Sequence, residues 1–89
     1  MGPWFAAFYR RSEAGQPARV GYTTPRKMGK AVVRNRIKRR LREVVRLRLA
    51  DFVPGWDVVF NPRRTVLDAE FTRLGAEVDR LLSVIRSKA

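Results

Sequence analysis

A small α+β sandwich, one sheet layered against helices, is what this chain predicts. Three short stretches rich in aromatic and β-branched residues, set off by glycine and proline, read as strands. Two longer stretches carry apolar residues at helical spacing. At 89 residues the chain suits a single domain, 1–89, with one small core.

Trp4 to Tyr9 is short and aromatic-rich and reads as a strand. Arg11 to Pro17 holds Ser12, Gly15 and Pro17 and reads as a hairpin loop. Ala18 to Thr24 is a second strand, stopped by Pro25. A helix follows from about Lys30 to Ala50. At 100° per residue Val33, Ile37, Leu41, Val44, Val45 and Leu49 share a sector of about 160°. Pro54-Gly55 is a turn, and Trp56 to Phe60 is a third strand with Trp56, Val58 and Phe60 on one face. Asn61-Pro62 ends it. Asp68 is placed to cap a last helix, with Glu70 in its first turn. Phe71, Leu74, Val78, Leu81, Leu82 and Ile85 form the apolar face of that helix. Gly75 interrupts the face.

Composition narrows the function. There is no cysteine and no histidine, which removes disulfides, zinc thiolates, thiol nucleophiles and the usual general base. The eight acids form no paired general acid and base, and no glycine-rich phosphate loop precedes a helix. No stretch is long and apolar enough to span a membrane, and Met1 to Phe5 lacks the layout of a signal peptide. A cytoplasmic, non-catalytic binder of polyanions, with no membrane partner, is the simplest class.

The charge is concentrated. From Arg26 to Arg48 eleven residues are Lys or Arg and only Glu43 is acidic, so this stretch carries all but two of the net +12 charges. Asn35, Arg36, Arg39, Arg40, Arg42 and Arg46 project opposite the apolar sector, while Arg34 and Lys38 lie at its edge. A cation at that edge must snorkel, pair, or point into a groove beside the core. One helix of this density is suited to meet a phosphate backbone.

The wording of the stretch also resembles a known family. Arg19-Val20-Gly21-Tyr22-Thr23-Thr24-Pro25-Arg26-Lys27 is similar to the strand, and Lys30-Ala31-Val32-Val33-Arg34-Asn35-Arg36-Ile37-Lys38-Arg39-Arg40-Leu41-Arg42-Glu43 to the helix, of the bacterial ribonuclease P protein component. The likeness runs from about Phe5 to the last helix. It implies a strand-helix-strand crossover of the left-handed type, against the usual rule. It implies a protein that grips the catalytic RNA and the 5′ leader of precursor tRNA, while the RNA, with magnesium, performs the cleavage. No cofactor is then expected on the protein itself. Family members begin with a further basic helix. This chain starts just ahead of the first strand, so that helix is expected to be missing, with weak homodimer formation through the N-terminal strand in its place.

The resemblance sorts the candidate residues into two groups. The leader cleft takes Phe8, Thr23, Pro25, Lys27, Arg34, Asn35, Lys38 and Arg39. By alternation Gly21, Thr23 and Pro25 share a sheet face, which the family turns toward the single strand. A ring over a basic groove suits unpaired bases, although core packing would equally account for Phe8. The catalytic RNA face takes Arg26, Lys30, Arg36, Arg40, Arg42 and Arg46. Solvated charge is the alternative for Arg46 and Arg48. A general structured-RNA or ribosome-binding domain is the rival function. A DNA reader would show a helix-turn-helix pair or a basic zipper, and neither is present.

Overall fold

The computed structural model describes residues 4–13 and 15–88. The reading made on Met1, Gly2 and Pro3 lies outside the described residues. Three strands, β1 (Phe5–Arg11), β2 (Arg19–Tyr22) and β3 (Trp56–Pro62), form one sheet. Two helices, α1 (Ala31–Arg46) and α2 (Phe71–Lys88), pack on one of its faces. The predicted α+β class is therefore correct.

The sheet order is β1-β3-β2, with β3 antiparallel to β1 and parallel to β2. β2, α1 and β3 thus form a strand-helix-strand crossover between neighbouring parallel strands. The expected hairpin between the first two strands does not form. Its loop spends its backbone groups on the turn that launches β3: Ser12 N–H donates to the Gly55 carbonyl, and Gly55 N–H to the Gln16 carbonyl, both at 2.8 Å. β3 is the most buried strand, alternating buried and half-buried residues over its whole length. It is the strand that gains most from neighbours on both sides.

One face of the sheet carries Phe5, Trp56, Val58, Phe60 and Pro62, and packs with Ile37, Leu41, Val44 and Val45 of α1 and Leu74, Val78, Leu82 and Ile85 of α2. Phe5 meets Phe60 edge-on, and Tyr22 stacks on the same ring.

α1 is shorter than the periodicity suggests, while α2 holds its whole apolar face but starts later than expected. α1 stops at Arg46, not Ala50, and a 3-10 turn, Leu49–Asp51, follows. That turn brings Phe52 into the core and leaves Leu49, expected on the apolar face, 55% exposed. Asp68 does not cap α2. It closes a 3-10 segment, Arg64–Asp68, that buries Val66. The Glu70 carbonyl instead accepts the first α2 bond, from Leu74 N–H at 2.9 Å. Phe71 sits at the start of the apolar stripe and remains exposed.

Candidate nucleic-acid interface

Two of the open surfaces gather the candidate residues. The first is the outer side of α1. Its inner side is anchored by Ile37, Leu41, Val44 and Val45, so the residues between them turn outward. Asn35, Arg36, Lys38, Arg39 and Arg42 line a shallow depression of about 520 Å³ together with Val32. The structure thus gathers on one surface residues that the sequence reading had divided between two. Arg46 is exposed on the same helix, outside the depression. Arg34 is half-buried, and its Nε is enclosed without a hydrogen-bond partner.

The second surface is the uncovered face of the sheet. Its residues fall in rows across the three strands. Phe8, Val59 and Gly21 stand side by side, and Arg10, Asp57 and Arg19 form the next row. Thr23 N–H continues the ladder by donating to the Phe60 carbonyl at 2.9 Å. Phe8 is 62% exposed. It is therefore not a core ring, which closes the packing alternative. With Gly21, Val59, Arg10 and Arg19 it lines a groove of about 460 Å³.

This geometry corrects the expected cleft. Phe8 and the α1 cations do not line one groove, because α1 packs on the opposite face of the sheet from Phe8. The two surfaces approach at the β2 edge, where the Arg42 guanidinium lies 5.5 Å from the centre of the Tyr22 ring. Burial raises the Tyr22 hydroxyl pKa, and the Arg42 charge partly opposes the rise. Pro25, Arg26 and Lys27 are exposed around the 3-10 turn Arg26–Met28. Arg64 Nη1 braces that turn by donating to the Met28 carbonyl at 3.3 Å. Lys30 is exposed at the position that caps α1 and makes no side-chain cap bond.

Arg40 is a second correction. It was expected on the RNA-facing side, but its guanidinium turns back onto the 3-10 segment before α2. Nε donates to the Val66 carbonyl at 3.1 Å and Nη2 to the Ala69 carbonyl at 2.6 Å. This cation staples α1 to the chain that leads into α2. Arg48, read as solvated charge, likewise has partners: Asp79 Oδ1 at 2.7 Å and the Val44 carbonyl at 3.1 Å.

Sequence reasoning missed the row Arg10, Asp57, Arg19. Arg19 donates twice to Asp57, Nε to Oδ1 and Nη2 to Oδ2, each at 3.0 Å. Arg10 Nε stands 3.9 Å from Oδ2. The Arg19 hydrogen bonds hold the Asp57 carboxyl below its ordinary pKa, and the same contacts raise that of Arg19. The signal was available. Strand alternation puts Arg10 with Phe8, Arg19 with Gly21, and Asp57 opposite Trp56. Among the described residues no group of three or more His, Cys, Asp or Glu could hold a metal ion.

The family described as Ribonuclease P matches residues 2–86. This chain belongs to the ribonuclease P protein family. It is 48% identical over 71 residues to the ribonuclease P protein component of Symbiobacterium thermophilum, covering 80% of this chain and 62% of that one. The Roseiflexus sp. protein component is 48% identical over 66 residues, covering 73% of this chain and 54% of its own. The chain therefore spans only between half and two thirds of the length of these curated relatives. Among solved structures, the ribonuclease P protein of Thermotoga maritima superposes with a TM-score of 0.76 at 28% identity, covering 92% of this chain and 77% of that one. The Staphylococcus aureus ribonuclease P protein, at 21% identity and a TM-score of 0.73, shares the fold.

Proposed function

We propose that this chain is the protein subunit of ribonuclease P. In this role it binds the catalytic RNA and the 5′ leader of precursor tRNA in the cytoplasm and assists removal of the leader. The observation that carries the reading is the pair of unlike surfaces around one core in a family member. The α1 face presents cations with little shape, which suits the phosphates of structured RNA. The open sheet face presents an exposed ring in a groove, which suits unpaired bases. Arg36, Arg39, Arg42 and Arg46, with Arg26 and Lys30, serve the first surface. Phe8 and Thr23 serve the second. Arg34, Asn35, Lys38, Lys27 and Pro25 lie nearer the first surface and serve the leader where it leaves the sheet at the β2 edge.

The protein supplies position and charge, and the RNA supplies the chemistry. Magnesium belongs to the RNA in this reading. None of the described helices is long and apolar enough to cross a membrane. The outer edge of β1 has no strand partner among the described residues. We extend the proposal to weak two-fold pairing there, opposed at low salt by the net +12 charge.

Cleavage of precursor tRNA at low magnesium, by a bacterial ribonuclease P RNA with and without this protein, tests the reading. Added protein should raise the rate, and leader-bearing precursor should bind more tightly than mature tRNA. Equal binding of both, with no gain in rate, would favour a general structured-RNA binder.

A further inference from the structure

Gly21 has no structural reason to be glycine. Its φ is not positive, in contrast to Gly15, Gly29 and Gly55. A Cβ built there meets only Val59 Cγ2, at 3.8 Å, which is ordinary contact. Yet it lies inside a strand, where glycine weakens the ladder and provides no side chain to pack. What the bare backbone does is keep the floor of the open groove low beside the exposed Phe8 ring, with Val59 between them. A strand-interior glycine of this kind marks close approach by a ligand.

The neighbouring row gives the ligand its charge. Two residues along each strand, a rise of about 7 Å, Arg10 and Arg19 flank Asp57 on the same face. The Asp57 side chain is only 13% exposed, whereas both arginines reach into solvent. The acid thus sits beneath two guanidiniums. It engages Arg19 through both oxygens, using Nε and Nη2 and not Nη1. Arg19 is fixed in direction while its charge stays accessible.

We propose that the single-strand surface read at Phe8 is completed by a phosphate subsite: Arg10 and Arg19, which Asp57 orients, take the phosphate adjoining a base at Phe8, and Gly21 keeps the floor beneath that base bare. Gly21 acts as a specificity-determining floor and Asp57 as a positioning residue. The inference rests on the reading of this face as an RNA surface and assigns its internal order.

The test measures anisotropy of a labelled single-stranded oligoribonucleotide, and of precursor against mature tRNA, together with thermal melting of each variant. Gly21→Val should leave the melting point unchanged or raise it, and weaken the single-strand probe by about tenfold through loss of one stacked base. Asp57→Asn makes the protein more positive, so charge alone predicts tighter binding. The positioning role predicts binding several-fold weaker, with the preference for precursor over mature tRNA reduced. Tighter binding by Asp57→Asn overturns that role. A melting point lowered by Gly21→Val shows a glycine kept for the fold and overturns the floor. Phe8→Ala separates the two levels. If it leaves the probe's affinity unchanged, the face is no RNA surface and the earlier reading of it fails as well. If it weakens the probe while Gly21→Val and Asp57→Asn do not, only the subsite is overturned.

Discussion

Replacing Arg40 by Gln tests whether a cation in the most basic stretch of the chain serves RNA or the fold. Its guanidinium donates to the Val66 and Ala69 carbonyls, at 3.1 and 2.6 Å. Those carbonyls lie at the join between the 3-10 segment and α2, so the contacts link the two helices through it. A hydrogen bond from a charged donor contributes about 1.5–3 kcal/mol net. Two that share one half-buried guanidinium should sit at the low end, about 2–3 kcal/mol together. For a domain of this size that corresponds to a fall in melting temperature of roughly 10–20 °C. Gln keeps a stem and one donor group, so the loss should not exceed this range. Circular dichroism melts and urea titration measure it. RNA affinity, read below the melting point, should change by no more than the loss of one screened charge. A variant with wild-type melting and a tenfold loss of affinity would refute the assignment and return Arg40 to the RNA-facing surface.

Two other perturbations follow from the same cation-by-cation view. A Cβ at Gly75 would stand 2.9 Å from Arg48 Cζ, so Gly75→Ala should gain about 1 kcal/mol of helix propensity but displace Arg48 from Asp79 and from the Val44 carbonyl. Denaturant melts of the double-mutant cycle should show Gly75→Ala near neutral in the native background and stabilising by about 1 kcal/mol in Arg48→Ala; equal effects in both would mean the two residues are not coupled. The Arg19 bonds lower the Asp57 pKa, so their contribution to stability is complete above the unfolded value of about 3.9 and is lost as pH falls through the lower folded value. The stability difference between wild type and Asp57→Asn should be flat from about pH 5 to 8 and shrink below about pH 4; a difference that changes across the neutral range would mean another group governs it.

How much of this was legible before the fold was known depends on the range of the interaction. The strands and helices follow from local periodicity, and β3 and the α1 core face are found where alternation and the helical wheel put them. The order of the sheet is not local. The loop after β1 looks like a hairpin by composition, and only the bonds to Gly55 reveal that β3 intervenes. The cleft was misjudged for a related reason. The helical wheel gives the direction of Arg34 and Lys38 relative to their own helix, but not which face of the sheet that helix covers. Phe8 was the reverse case. Its face is legible from strand alternation, but its exposure depends on no element among the described residues crossing that face. The roles of Arg40 and Arg48 were hidden because their partners lie 29 and 31 residues away in sequence.

The folded state divides the cations of α1 and of the turn after it into two kinds, and this division itself bears on function. Arg40 and Arg48 are consumed by carbonyls and by Asp79, and Arg42 rests on Tyr22. Arg36, Lys38, Arg39 and Arg42, with Asn35, line a depression that holds no acid. Like charges stand one turn apart at Arg34 and Lys38, Arg36 and Arg40, Lys38 and Arg42, and Arg42 and Arg46. Each such pair costs a helix about 0.2–0.5 kcal/mol. No acid occupies the first turn, where the helix dipole would favour one. A helix selected for stability alone would mix its charges. This one relies on the burial of Ile37, Leu41, Val44 and Val45 to stay folded while Glu43 alone offsets the cations of its outer face. The uncompensated charge is relieved when phosphates lie against it, so what local rules count as a fault in the helix is what a polyanion binds.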